Sequence, residues 1–189
     1  VPLLKFSADT GAKAVTDILA ESDFKPGAGN STAVYDLVIV GAGVSGISAA
    51  IEAKKARLNF VIYEADESFA TIHNFPRKKP IFTYPTEMKN AGELHFEADV
   101  KEALLIELKA QQAEHGIETT RAKVQHISRT GGVLAVEFAK GESAKAQRVI
   151  VAIGRTGNFR KLNVPGEGMD KVSNRLIDAG EHAGQKGMV

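Results

Sequence analysis

The sequence predicts an α/β fold: a parallel sheet flanked by helices, with an antiparallel β-meander added to it. Three observations carry that expectation. Two apolar runs, YDLVIV (Tyr35 to Val40) and FVIYE (Phe60 to Glu64), enclose a segment of helical periodicity within about 30 residues, the pattern of a strand, helix, strand unit. A second helical pattern is followed by short strand candidates joined by glycine-containing turns. A third apolar run, RVIVAIG, reads as another central strand.

Residues 1–33 divide into a short amphipathic stretch and a turn-rich joint. Ser7 suits an N-cap, and Val15, Ile18 and Leu19 recur at helical spacing, while PGAGNST from Pro26 to Thr32 is poor in apolar residues. One short helix and a flexible linker are expected. Past the first strand, Val44, Ile47, Ala50, Ile51 and Lys54 recur at helical intervals through Arg57. Lys54, Lys55 and Arg57 fall in the last turn, where cations complement the helix dipole. Asn59 is expected to take the left-handed conformation that closes this helix. From Ala65 to Phe96, Pro76, Pro80 and Pro85 deny the chain any long element, and the stretch reads as one organised loop. Phe96, Val100, Leu104 and Leu108 then step by four along a helix expected from Asp99 to His115, with Gly116 where a left-handed terminal residue is wanted. Its acids Asp99, Glu102 and Glu107 are expected on the wet face. Strands are expected around Ile117 to Ile127, Val133 to Phe138 and Gln147 to Ile153. The stretch from Arg155 to Val189, with a weak strand at Gly187 to Val189, reads as a connection.

With 43% hydrophobic and 25% charged residues among 189, the chain has material for one core. A net charge of +1 offers no overall field to steer nucleic acid or an anionic membrane, and neither is expected as a partner. The absence of cysteine excludes disulfides, thiolate metal sites, iron–sulfur ligation and a dithiol redox centre within these residues. No apolar run reaches the roughly 18 residues that cross a bilayer, and no basic-then-apolar leader opens the chain, so a cytoplasmic location is expected. A valine start and an abrupt end after Gly187 make both termini read as cut.

GAGVSG, Gly41 to Gly46, has G-x-G-x-x-G spacing and stands directly after a buried strand and at the opening of a helix, the context its mechanism requires. Gly41 permits the tight turn. Gly43 removes the side chain that would hold a pyrophosphate off the backbone, and Gly46 lets helix and strand pack closely. Phosphates would then meet the free amides around Val44 and Ser45 and the positive end of the helix dipole. Glu64 closes the second strand 18 residues beyond Gly46, near the spacing of the acid that accepts from ribose hydroxyls. A carboxylate there repels a ribose phosphate, so NADP is not expected in this site. A plain tight turn with a solvated strand end is the bland alternative. FAD and NAD both stay open on the motif alone, because each presents an adenosine diphosphate.

YDLVIVGAGVSGISAAIEAKK, the segment HNFPRKKPIFTYPTEM and RVIVAIGRTGNFRKLNVPGE resemble the FAD lobe of thioredoxin-reductase-like, pyridine-nucleotide-dependent flavoproteins, over nearly everything from Val34 to Val189. The resemblance implies a Rossmann-like FAD-binding domain at 34–155. Residues 1–33 are then an N-terminal helix and linker, and 156–189 lead toward an NAD(P)-binding domain outside this chain. It implies FAD as cofactor, with its AMP half on Gly41, Gly43, Gly46 and Glu64 and its adenine beside Val124. Ala152, Ile153 and Gly154 match the place where such proteins read Ala-Thr-Gly, Ile153 replacing the threonine. Thr71, His73, Asn74 and Pro76 lie where the flavin-facing segment runs, although Phe69 and Ala70 replace the usual Gly-Gly pair; ordinary polar loop residues are the other reading of His73 and Asn74. TGAKAVTDIL resembles the closing helix of such flavoproteins, a linker helix being the alternative.

For the whole protein the resemblance implies hydride transfer from NAD(P)H to FAD, then electron transfer to a small molecule or to a protein disulfide or iron–sulfur partner. A homodimer is compatible with it, no catalytic residue is assigned, and the present chain alone is expected to be inactive. Two other classes stay open: a non-catalytic NAD or FAD sensor or assembly module, and a flavin monooxygenase-type enzyme. His73, His95, His115, His126 and His182 lack metal-site spacing, so no metal is expected. PRKKP reads as a solvated loop, and no hydrolase motif is present.

Overall fold

In the computed structural model, which describes residues 4–27, 33–139, 141–154, 161–169, 172–173, 176–184 and 186, the apolar runs come together as one six-stranded sheet. β1 (Val34–Val40) lies between β2 (Phe60–Glu64) and β6 (Ser143–Val151) and is parallel to both. Leu37 stands opposite Phe60 on one side and Arg148 on the other. With β3 (Thr120–Arg121), β4 (Val124–Thr130) and β5 (Val133–Phe138), the order is β3-β2-β1-β6-β5-β4. β3 extends the parallel side, and β4, β5 and β6 form the antiparallel meander. The α/β class expected from the sequence is the one observed.

Alternation along β1 divides the core into two. Leu37 and Ile39 face the helices and pack with Ile47, Ile51, Ile62, Leu104 and Leu108, whereas Val38 and Val40 face the meander with Tyr63, Val136 and Ala146. The helices are α1 (Leu4–Ala20), α2 (Val44–Lys55), the short α3 (Ala70–His73) and α4 (Lys101–Glu114), with a 3-10 turn at Ala179–His182. α1 lies against α2 and buries Ala8, Ala12, Val15 and Ile18. Ser48 Oγ donates to the Ala8 carbonyl at 2.7 Å, and the Asp9 carboxylate accepts from Ala91 N–H at 3.0 Å. Behind α1, Arg148 on β6 pairs with Glu21 at 2.6 Å and Asp23 at 2.8 Å.

Several local expectations are corrected. α1 begins at Leu4, so Ser7 lies within the helix and does not cap it. Arg57, at φ 57°, takes the left-handed position after α2. Asn59 is held elsewhere: its N–H donates to Asp36 Oδ2 at 3.0 Å and its carbonyl accepts from Asp36 N–H at 2.8 Å. The strand expected from Ile117 to Ile127 divides into β3 and β4, because Ala122 N–H turns to the Glu64 carbonyl at 2.9 Å and closes the parallel edge before the meander starts. Two acids of α4 cap loops, which solvation alone did not predict. Glu107 accepts from the N–H groups of Glu97 and Ala98, and Glu102 from that of Lys78. The end of the RVIVAIG run is not buried, with Val151 57% and Ile153 66% exposed. Most of the joint at Pro26 to Thr32 and the weak strand at Gly187 to Val189 fall outside the described residues.

Candidate functional site

β1 ends at Val40, and the chain turns through three residues into α2. Gly41 makes the turn at φ 104°, a conformation that side-chain-bearing residues rarely adopt, and donates its N–H to the Tyr63 carbonyl at 2.7 Å. A Cβ on Gly41 would also stand 2.5 Å from the Ala152 carbonyl oxygen. Ala152 is itself fixed by its N–H to Val40 O at 2.7 Å, so the end of β6 is locked against the turn. A Cβ on Gly46 would overlap the Gly41 carbonyl oxygen, which explains why the helix can start so close to the strand.

Gly43 is different, because nothing lies within 4 Å of where its Cβ would be. It is the N-cap of α2 and supplies no capping side chain. Ile47 N–H donates to the Gly43 carbonyl at 2.9 Å, so the amides of Val44, Ser45 and Gly46 precede the first bond of the helix. Uncapped amides and the positive end of the dipole therefore face an open notch, the arrangement that receives a phosphate. Backbone thus closes on Gly41 and Gly46, while the space at Gly43 is open.

Glu64 ends β2 beside this notch. Its Oε2 accepts from Ala42 N–H at 2.7 Å, and its Oε1 from Asp66 N–H at 2.9 Å. Sequence reading had reserved the carboxylate for a ribose. The tie to Ala42 was not foreseen, because a backbone amide leaves no mark in the residue pattern. Each oxygen retains a second lone pair, so bonding to the loop and accepting from hydroxyls are compatible. The Ala42 carbonyl in turn accepts from Phe69 N–H at 3.0 Å, which hangs α3 on the same loop.

Phe69 stands at φ 60°, left-handed, where the resemblance expects glycine. That backbone costs about 1–2 kcal/mol, and burying the ring to 1% exposure offsets it, at roughly 1.5–3 kcal/mol. Thr71 and His73 follow on the exposed face of α3. The His73 ring is paired with Glu67, which Lys109 of α4 approaches at 3.6 Å. Val124 opens β4 opposite Phe138 and packs on the core that holds Val40 and Tyr63. Gly154 takes φ 64° with open space over it. Gly41 to Gly46, Glu64 and Ala152 are thus in one contact set, and Val124 packs on the cluster that includes Tyr63.

Two other concavities lie away from this set, one between Pro76–Lys78 and Leu176–Asp178, the other between α2 and the end of α4. Neither contains a glycine of the loop or an uncapped helix opening, so the open space above Gly43 is the better candidate on chemical grounds. Among the described residues, no cluster of three potential ligands could hold a metal, and no helix is long and apolar enough to cross a membrane.

An α/β lobe with a glycine-lined, uncapped helix opening and an acid ending the second strand has the architecture of the Rossmann class. Residues 38–189 match the model of the pyridine nucleotide-disulphide oxidoreductase family, and the chain belongs to that family. It is 27% identical over 157 residues to a ferredoxin–NADP reductase of Ignicoccus hospitalis, covering 82% of this chain and 48% of that protein. A thioredoxin reductase of Mycolicibacterium smegmatis is 28% identical over 145 residues, 72% of this chain and 40% of that one. In fold it is similar to the bacillithiol disulfide reductase of Staphylococcus aureus, with a TM-score of 0.64 at 19% identity over 80% of this chain and 48% of that one. The chain spans less than half the length of each of these relatives.

Proposed function

We propose that the chain is the FAD-binding portion of an NAD(P)H-dependent flavoprotein oxidoreductase. The observation that carries this reading is the uncapped opening of α2 above Gly43, beside the Glu64 carboxylate. The amides of Val44, Ser45 and Gly46 hold the diphosphate, and Gly43 leaves the space it occupies. Glu64 accepts from ribose hydroxyls with the lone pairs that Ala42 and Asp66 do not use. Val124 lies beside the adenine, Ala152 and Gly154 border the flavin side, and Thr71 and His73 stand at its rim. When bound, FAD would supply two-electron chemistry between a nicotinamide donor and a small-molecule or protein acceptor.

Residues 34–155 are the FAD-binding unit in this reading, preceded by 1–33 and followed by 156–189 as a connection. The seat for NAD(P)H lies outside 34–155, in the part of the relatives' length that these residues do not span. With no cysteine in its sequence, the chain itself supplies no redox-active disulphide. A nicotinamide donor suits a cytoplasmic setting.

Purified protein should be yellow and should release FAD, near one per chain, on denaturation. A colourless protein that NAD(H) stabilises and FAD does not would overturn the proposal in favour of a nucleotide sensor. For the full-length protein, NAD(P)H-dependent incorporation of oxygen into a substrate would move it to the monooxygenase class.

A further inference from the structure

The first turn of α2 is gripped from two sides. On one side Gly46 admits the Gly41 carbonyl, whose carbon would be 3.0 Å from a Cβ on Gly46. On the other side α1 presents Gly11. A Cβ there would overlap the Ser45 carbonyl oxygen and stand 2.9 Å from the Ser45 carbonyl carbon and 3.1 Å from its Cα. The peptide joining Ser45 to Gly46 is therefore confined by backbone on both faces. Its carbonyl belongs to Ser45, and its N–H, that of Gly46, is one of the three amides that precede the first helical bond.

Glycine within a helix is unfavourable by itself, so a contact must account for it. Here α1 is held in place around that contact. Ser48 Oγ bonds the Ala8 carbonyl, Asp9 takes the Ala91 N–H, and a Cβ on Gly92 would be 2.9 Å from Ala12 Cβ. Ala8, Gly11, Ala12 and Val15 are all buried on this side. The family match begins at residue 38, so it does not account for α1.

We propose that Gly11 is a fourth glycine of the dinucleotide cradle, a positioning residue on an upstream helix that sets where the Ser45–Gly46 peptide aims its N–H. This rests on the reading of Gly41 to Gly46 as a diphosphate cradle and extends the cradle to a helix outside the motif. Any side chain at position 11 pushes α1 outward or rotates that peptide, and in either case the phosphate loses a well-placed donor.

The test compares Gly11→Ala with Ile18→Ala in the full chain, using FAD and ADP as probes by titration calorimetry. Ile18 is buried on the same helix but stands seven residues along, about 10 Å away. Gly11→Ala should weaken both probes tenfold or more while the circular dichroism is kept. The Gly46 amide should be among the resonances that shift most in the ligand-free protein. Ile18→Ala should lower the melting temperature and leave both affinities within twofold. Wild-type affinity in Gly11→Ala, or an equal loss in Ile18→Ala, overturns the proposal. Should Gly11→Ala not fold, Ser48→Ala removes the bond that seats α1 and should weaken ADP severalfold; unchanged binding there overturns it as well. Gly43→Val separates the two claims. If it abolishes binding while Gly11→Ala does not, only the role of Gly11 is lost; if the unsubstituted chain binds neither probe, the cradle reading fails with it.

Discussion

At the scale of single residues, the loop from Gly41 to Gly46 shows two demands that glycine meets for opposite reasons. Backbone atoms occupy the place of a side chain at Gly41 and Gly46, whereas nothing lies within 4 Å of it at Gly43, the space that the proposed function gives to the diphosphate. Gly43→Val is therefore expected to leave the urea midpoint close to that of the parent and to abolish FAD binding; a variant that still purifies with flavin would refute the site. Glu64 makes a sharper case, since its carboxylate accepts from two amides before any ligand is considered. In Glu64→Gln one of those N–H groups meets an NH2, at a cost of about 1–3 kcal/mol. Stability of the ligand-free protein should fall along with FAD affinity. Unaltered stability would mean that the tie to Ala42 contributes nothing. The glycines and Glu64 were legible in the sequence because their spacing carries the mechanism. The bonds that Ala42 makes to Glu64 and Phe69 were not, because they run through the backbone and any residue type would serve.

Among the elements, those built on a strong apolar period follow from the sequence, whereas the full length of α1, expected only as a short helix, and the division of β3 from β4 do not. β1, β2, β5 and α2 follow from their runs of aliphatic residues, and α4 from its four-residue step. α1 buries Ala8, Gly11 and Ala12 as well as Val15 and Ile18, so much of its contact face is small and leaves little hydrophobic signal over its first turns. The division of β3 from β4 depends on which strand Ala122 addresses, a tertiary fact that periodicity cannot hold. Asp36 joins several of these elements. Buried to 2% exposure on β1, it accepts from Gly27 N–H at 2.9 Å, Asn59 N–H at 3.0 Å and Gln147 Nε2 at 2.9 Å, tying the segment after α1, the residue before β2 and the middle of β6 to one carboxylate. Asp36→Asn sets an NH2 against at least one of those donors and should lower the unfolding free energy by about 1–3 kcal/mol. Urea denaturation followed by circular dichroism measures it, and a loss under about 0.5 kcal/mol, within the range of ordinary surface changes, would show that Asp36 is not the joint.

Over the whole molecule, charge governs how stability depends on pH, and the sign follows from the groups that the fold perturbs. Hydrogen bonding from Lys13 holds Asp9 below the ordinary carboxylate value of 3.8, and the bond from Lys55 holds Glu93 below 4.5. The Lys78 backbone N–H lowers Glu102, and Arg77 lowers Asp178. A carboxyl group depressed in the folded state contributes stability that is complete above its unfolded value and is lost as pH falls through its folded one. Lys55, Arg77 and Arg148 are raised above their ordinary values by their carboxylate partners, so their contributions are lost only at strongly alkaline pH. The melting temperature should thus be flat near neutrality and fall as the pH drops below about 4.5, through the Glu and then the Asp range. Most of these pairs are exposed and individually weak. Asp9 is the best placed, with its side chain only 12% exposed and its other partner the Ala91 N–H of the long loop. Lys13→Met removes the largest cause of the Asp9 shift while sparing the contact between α1 and α2. The variant should melt below the parent at pH 7, and the gap should be smaller at the lowest pH at which both proteins still fold, as Asp9 of the parent takes up its proton. A gap of equal size at both pH values would show that Lys13 acts through packing and that the Asp9 pair does not govern the acid limb.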